Sequence, residues 1–277
     1  MLLEIQHLGN WLSPKAPPAW QQTLLRNYYH FQSWRCDVVF TILGLRERHQ
    51  NLTSASSCLR GVATQVYVKQ RDIRRKVVMI QPIIVVGPGR CGTSCVAGVL
   101  HHLGVFMGSR LVPPDFTNPY GHWEDYEFVK LNSAFLSQRI ARSKWEEQIR
   151  KLIECRNALG IPWGWKDPRT CDLLRDYLEF FDNPPFIRCI RSATQIEASI
   201  IKAYRWTPTN ARLGRLRREQ ELDRYLPRRN LFEVDFTELR TDRRKIVESL
   251  VQFCGLAEAT EQRISSAINF IRPLAEP

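Results

Sequence analysis

Residues 82–105 read PIIVVGPGRCGTSCVAGVLHHLGV. The run IIVVG at 83–87 is short, apolar and bounded by turn residues, the pattern of a strand buried on both faces of a parallel sheet. From Thr93 to Gly104 the apolar residues recur at helical spacing, and Gly104 stands where a helix end favours the left-handed conformation. GPGRCGTS, 87–94, thus follows a strand and opens a helix. In parallel α/β sheets ligands sit beyond the carboxyl ends of the strands, which is where this junction lies. Gly87, Gly89 and Gly92 admit backbone angles closed to other residues and let a ligand approach the main chain. Successive N–H groups turned inward and the positive end of the helix then favour an anion. Arg90 adds a fixed charge, and Thr93 and Ser94 add hydroxyl donors. The plainer alternative is a glycine-rich turn that only joins strand to helix.

The alternation continues downstream. Apolar strands are expected at 162–166 (PWGWK), 185–190 (PFIRCI) and 231–236 (LFEVDF), and helices at 93–104, 124–141, 144–160, 170–181 and 243–255. Strand followed by helix, repeated, implies a parallel sheet covered by helices on both faces: an α/β domain over 81–277. Residues 1–80 carry a proline cluster (SPKAPPAW), an aromatic patch (YYHFQSW) and a polar stretch, with periodicity too weak to assign, and form an N-terminal extension to that domain.

Composition bounds the function. The 277 residues suffice for one sizeable domain, and 44% hydrophobic with 25% charged residues is ordinary for a globular protein. Forty Lys and Arg against 28 Asp and Glu give +12, which favours an anionic partner: nucleic acid, an acidic membrane surface or a phosphorylated small molecule. The eight cysteines form no CxxC pair and no Cys/His cluster at zinc-ligand spacing, so mostly reduced and buried thiols and no metal are expected. No segment reaches the roughly 18 apolar residues of a membrane span, and the N-terminus lacks a basic start followed by an apolar core. A soluble cytoplasmic protein is the expectation, with the Asn51-Leu52-Thr53 sequon a chance match.

Three readings of the anion remain. A P-loop kinase or nucleotide triphosphatase needs lysine where Thr93 stands and a strand-terminal aspartate for magnesium, for which Asp235 is the candidate. A nucleic-acid-binding protein fits the charge and the arginine-rich segment 212–229 but leaves the loop unexplained. The third follows from a resemblance carried by several motifs in order.

GPGRCGTS resembles the 5′-phosphosulfate loop of the sulfotransferases that use 3′-phosphoadenosine 5′-phosphosulfate (PAPS). PFIRCIRSATQIEASI resembles that family's 3′-phosphate segment, a strand ending in arginine with a serine eight residues on, here Arg191 and Ser199. NPYGHWEDYEFVKLN resembles the N-x-x-G-x-x-E pattern of bacterial-type members, GWKDPRT the Lys-Asp-Pro turn of tyrosylprotein-type members, and LFEVDFTELRTDRRKIVESLVQFCGL the late strand and helix. The resemblance spans about 82–273. It implies a P-loop-like three-layer α/β/α fold with a central parallel sheet, PAPS as co-substrate, and transfer of a sulfuryl group to a hydroxyl or amine. The acceptor class, whether carbohydrate, peptide, lipid or small metabolite, stays open. Two departures stand out: Cys91 replaces the usual serine, a weak donor for a good one, and the C-terminal RxGxxGDW-type segment is absent. The basic run ARLGRLRREQELDRYLPRR is either its substitute or a solvated helix face. Cys91 also makes a sulfotransferase that binds nucleotide without turnover conceivable.

The resemblance implies a nucleotide site of Gly87, Gly89, Arg90, Cys91, Gly92, Thr93, Ser94, Arg191 and Ser199. Arg90 and Lys166 would stabilise charge on the leaving group, one from each side. Glu124 is the first candidate for general base and His122, two residues away, the second. A carboxylate at WEDYE could equally serve the following helix N-terminus. Trp123, Trp163, Trp165 and Trp206 could each offer an adenine a stacking face or pack in the core. His101 and His102 are read as packing or surface residues.

Overall fold

A computed structural model describes residues 80–272 of the chain. The expectations for the N-terminal extension, Asn51 included, lie outside the described residues, as do Cys36 and Cys58.

Four strands, β1 (Ile83–Val86), β2 (Gly164–Lys166), β3 (Phe186–Ile190) and β4 (Leu231–Asp235), form a parallel sheet in the order β2-β1-β3-β4. Ile84 pairs with Trp165 on one side and Phe186 on the other. The apolar run at β1 is continuous because both faces are covered. Ile83 and Val85 enter one core with Val96, Leu100, Ile187 and Val247, whereas Ile84 and Val86 enter the other with Phe128, Trp145, Trp165 and Tyr177. Each such buried aliphatic side chain contributes roughly 1.5–3 kcal/mol. A Cβ at Gly164 would meet the Ile83 carbonyl oxygen at 2.1 Å, so glycine is what lets β2 lie against β1. The three-layer α/β/α architecture expected from the alternation is the one found.

The helices in chain order are α1 (Thr93–Leu103), α2 (Tyr126–Leu136), α3 (Arg142–Asn157), α4 (Leu174–Tyr177), α5 (Ala193–Tyr204), α6 (Pro208–Tyr225), α7 (Phe236–Thr241), α8 (Arg243–Phe253) and α9 (Glu261–Phe270). Three differ from expectation for local reasons. The helix expected at 124–141 begins only at Tyr126, because Asp125 is its cap and accepts from the Glu127 N–H at 3.0 Å. It stops at Leu136, where the Ser137 hydroxyl turns back to donate to the Ser133 carbonyl and Gln138 takes φ 57°. The expected helix at 144–160 runs from Arg142 to Asn157. The expected helix at 170–181 is instead a 3₁₀ helix, Pro168–Leu173, followed by the single turn α4. Its apolar residues mark an aromatic cluster of Trp145, Trp165, Tyr177, Phe180 and Phe181 rather than one helical face.

The basic run lies on α6. Arg215 pairs with Glu197 and Glu219, Arg217 and Arg218 both reach Asp172, and Asp223 accepts from Arg188. These arginines are part of the scaffold's ion pairing. No helix among the described residues is long and apolar enough to cross a membrane.

Candidate active site

From β1 the chain goes on to β2 at one edge of the sheet and from β3 to β4 at the other, so the crevice between the carboxyl ends of β1 and β3 is the switch point where α/β folds hold ligands. The segments that follow these two strands carry Arg90 and Arg191. A cavity of about 590 Å³ opens there, within the size range of small-molecule sites. Its lining includes Arg90, Gly92, Thr93, Ser94, Arg191 and Ser199, which the motifs singled out. It also includes Arg240 and Arg272, and no Asp or Glu is among the lining residues.

The loop is built to turn sharply. Gly89 and Gly92 have φ 82° and 102°, and Arg90, at φ 62°, takes the same left-handed region despite its side chain, a conformation that costs about 1–2 kcal/mol outside glycine. Side chains from three elements secure it. Cys171 Sγ donates to the Gly87 carbonyl (3.2 Å), Arg218 Nη1 to the Pro88 carbonyl (3.3 Å) and Arg191 Nη1 to the Arg90 carbonyl (3.1 Å). At Gly92 a Cβ would fall 2.4 Å from the Phe236 ring, so the helix start and α7 can approach only through glycine.

Cys91 occupies the inside of the turn. Its side chain is fully buried, and the N–H groups of Thr93 and Gly89 point at its sulfur. Burial outweighs those contacts and pushes the thiol up to about 11. Gly87, Gly89 and Cys91 lie outside the cavity lining, as supports of the loop.

Along one wall of the cavity Arg90 Nε donates to Ser199 Oγ at 3.0 Å, which ties the loop to α5. Arg191 also donates from Nε to Gln195 Oε1 (3.0 Å), and its guanidinium lies 5.0 Å from the Phe236 ring centre, with Arg240 at 5.6 Å from the same ring. The pKa of Arg191 is lowered, first by burial and then by the neighbouring charges of Arg240 and Arg90. Cations thus crowd one another around a space without a lining carboxylate. That arrangement attracts an anion, and guanidinium forks suit phosphate oxygens.

The far wall comes from the 118–123 turn and the end of α9. Asn118 Nδ2 donates to Ser94 Oγ at 3.0 Å, Tyr120 meets Arg272 through its hydroxyl and its ring, and Trp123 packs edge-on to Phe270 at 5.4 Å. Among the tryptophans Trp123 lines the cavity, Trp163 and Trp165 are core residues, and Trp206 is exposed. His101 and His102 pack behind Trp123 and Phe270. Burial, with His102 beside it, lowers the pKa of His101 to about 4. Phe236 and Arg240 stand within the late strand-and-helix stretch at 231–256 without being singled out there, and Asn269, Phe270 and Arg272 carried no motif. For those three a signal was Gly98 in mid-helix, where a Cβ would lie 2.2 Å from Phe270 and so mark the contact between α1 and α9.

The candidates for catalysis other than Arg90 lie outside this lining. Lys166, at the end of β2, is 2% exposed and donates from Nζ to Glu124 Oε1 at 2.8 Å. Arg169 bridges Glu124 Oε2 (3.5 Å) and Asp167 Oδ1 (2.9 Å), and Asp167 Oδ2 accepts from Asn132. The helix-capping role weighed for Glu124 belongs to Asp125, which also pairs with Arg156 at 2.6 Å. His122 Nε2 lies 3.1 Å from Asp115 Oδ2. Asp235, the magnesium candidate of the kinase reading, caps α7 by accepting from Thr237 and Glu238 N–H groups. No cluster of three or more potential metal ligands occurs among the described residues. The six cysteines among the described residues are free thiols, with Cys155 exposed rather than buried.

No family model matches the chain. Among solved structures it is similar to the sulfotransferase domain of a Synechococcus olefin synthase, with a TM-score of 0.45 and 14% identity over 67% of this chain and 76% of that one. The sulfotransferase domain from the curacin biosynthetic pathway gives 0.45 and 13% over 68% and 77%, and sulfotransferase STF1 from Mycobacterium tuberculosis 0.42 and 14% over 74% and 75%. A stretch of 61 residues is 33% identical to tyrosinase from Oryzias latipes, covering 22% of this chain and 11% of that protein. The chain thus spans about a tenth of the length of that curated relative.

Proposed function

We propose that the chain is a sulfotransferase that moves a sulfuryl group from PAPS to a hydroxyl or amine acceptor. The observation that carries the reading is the cavity at the switch point, where Arg90 of the loop and Arg191 with Ser199 of the β3–α5 segment stand on one wall with no lining carboxylate. Two such anchors suit a ligand with separated anionic groups on a rigid core, as in a doubly phosphorylated adenosine. Thr93 in place of the P-loop lysine, and Asp235 engaged as a helix cap, disfavour the kinase alternative. The arginines of α6 paired with carboxylates disfavour the nucleic-acid alternative. A soluble cytoplasmic enzyme is the setting we assign to this activity.

The residues present fit this donor. Arg90, Thr93 and Ser94 would hold the 5′ end, Arg191 and Ser199 the 3′-phosphate, and Phe236 or Trp123 an adenine face. The donor supplies an activated sulfur, and the protein supplies alignment and charge. In the transfer the acceptor oxygen or nitrogen bonds to sulfur as the bond from sulfur to the 5′-phosphate oxygen breaks. Arg90 stabilises the charge left on that oxygen, with Lys166 assisting from the β2 side. Glu124 or His122 takes the acceptor's proton. For Glu124 this requires release from Lys166 or Arg169, which hold its two oxygens.

Calorimetric titration with adenosine 3′,5′-bisphosphate, ADP and Mg-ATP tests the reading. The bisphosphate is expected to bind best, and Arg191→Ala to weaken it by roughly 30-fold, the effect of deleting one charge-assisted hydrogen bond from a desolvated site. Equal or stronger binding of Mg-ATP would overturn it.

A further inference from the structure

Of the three side chains that hold carbonyls of the loop, Arg218 comes from farthest along the chain, the middle of α6, 130 residues away. Its guanidinium does three things. Nη1 donates to the Pro88 carbonyl at 3.3 Å, while Nε and Nη2 both reach Asp172 Oδ2, at 3.2 and 3.1 Å. Asp172 lies in the 3₁₀ helix after β2, its side chain is 7% exposed, and Arg217 completes its coordination at 2.7 Å. Arg218 therefore stands on a carboxylate anchor and holds the residue two before Arg90. Gly89, between them, has φ 82° and a Cβ position 3.5 Å from Arg218 Nη1.

We infer that Arg218 is a positioning residue of the anion loop, presenting Arg90 to the cavity by clamping Pro88 against the Asp172 turn. The inference rests on the donor reading above but assigns a role to α6 that no loop motif contains. Arg90 occupies a left-handed conformation that the chain does not favour locally. Its carbonyl is held from the β3 side by Arg191, so the Pro88 clamp is the matching fixture on the β2 side. With one fixture gone, the two residues between Pro88 and Cys91 regain alternatives, and the Arg90 side chain is spread over more positions. The basic run of α6 is then neither a nucleic-acid surface nor a plain solvated face, because one of its arginines reaches inward to shape the site.

The test is Arg218→Met, which keeps the apolar stem and removes the donors, beside Arg218→Lys and wild type. Each full-length protein is titrated with adenosine 5′-monophosphate, adenosine 3′-monophosphate and the 3′,5′-bisphosphate. Arg218→Met is expected to weaken the two ligands carrying a 5′-phosphate about tenfold and to leave the 3′-monophosphate within about twofold, with Arg218→Lys intermediate. A general folding defect would weaken all three alike, and that result overturns the inference, as does no change in any. Amide hydrogen exchange on the ligand-free proteins reads the clamp whatever the loop binds. Faster exchange confined to residues 87–94 in Arg218→Met is expected, and unchanged exchange there overturns the inference. Failure of the wild-type protein to prefer the bisphosphate overturns the donor reading instead, while the exchange result still decides the role of Arg218.

Discussion

Two charged regions flank the carboxyl end of β1, and they are organised in opposite ways. Toward β3, Arg90, Arg191, Arg240 and Arg272 line a cavity whose lining holds no carboxylate. Toward β2, Lys166, Arg169 and Arg156 are interleaved with Glu124, Asp167 and Asp125 at 2.6–3.5 Å, largely out of solvent. Burying a charge is tolerated when an opposite charge accompanies it. The β2 cluster meets that condition internally, whereas the lining of the β3 cavity supplies no carboxylate of its own. Pairing thus separates a cluster whose charges are compensated within the fold from a cavity whose lining offers no carboxylate.

Removing a cation from each region should break this contrast most sharply. Lys166→Met leaves Glu124 buried with only the 3.5 Å contact to Arg169, and a loss of about 3 kcal/mol in unfolding free energy is expected. Arg191→Ala removes a charge disfavoured first by burial and then by Arg240 and Arg90, and the loss of its bond to the Arg90 carbonyl should cost no more than about 1 kcal/mol of stability while bisphosphate affinity falls. Urea unfolding of the two variants measures the difference. Equal destabilisation would show that the cavity arginines are structural after all.

A smaller effect separates shape from charge at the loop. Gly92→Ala combines φ 102° with a Cβ 2.4 Å from the Phe236 ring, and about 2–3 kcal/mol of destabilisation is expected together with weaker ligand binding. Gly160→Ala, at φ 67° with nothing within 4 Å of its Cβ, carries the backbone penalty alone, about 1 kcal/mol. If the two lose the same amount, contact with Phe236 does not constrain the loop.

The sequence made the loop side of the site and the 118–123 turn legible and the share of α7 and α9 not, because the loop side is local. Arg90, Thr93 and Ser94 sit at one strand end, where strand–turn–helix spacing places them, and Arg191 and Ser199, at the next strand end and the helix it opens, were marked by the family resemblance. Arg240 and Arg272 reach the cavity through the packing of α7 and α9, which depends on Phe236 against Gly92 and Phe270 against Gly98. Those are tertiary contacts with no periodic trace. The expected helix at 170–181 failed for a related reason: its apolar residues answer to an aromatic cluster drawn from several elements, not to one face. The motifs mark Lys166 and Glu124 each as a site residue, but nothing in their 42-residue separation signals that they bind each other.

The smallest expected effect concerns the wall behind Trp123. Burial, with His102 adjacent, holds the folded-state pKa of His101 at about 4, below the ordinary imidazole value near 6.5. The unfolded chain then binds the proton more readily, so the stability linked to His101 is fully present above about pH 6.5 and is lost as pH falls toward 4. His102, also lowered by burial, acts in the same direction. Between pH 6.5 and 5 most carboxylates have yet to titrate, so unfolding free energy should decline with a slope that His101→Gln reduces. Because the His101 ring lies 5.0 Å from Trp123, tryptophan fluorescence of the folded protein should stay constant over that interval and change only nearer pH 4. A fluorescence change centred near 6.5 would mean that His101 is solvated, and that the far wall of the cavity is open where the packing of Trp123 on Phe270 closes it.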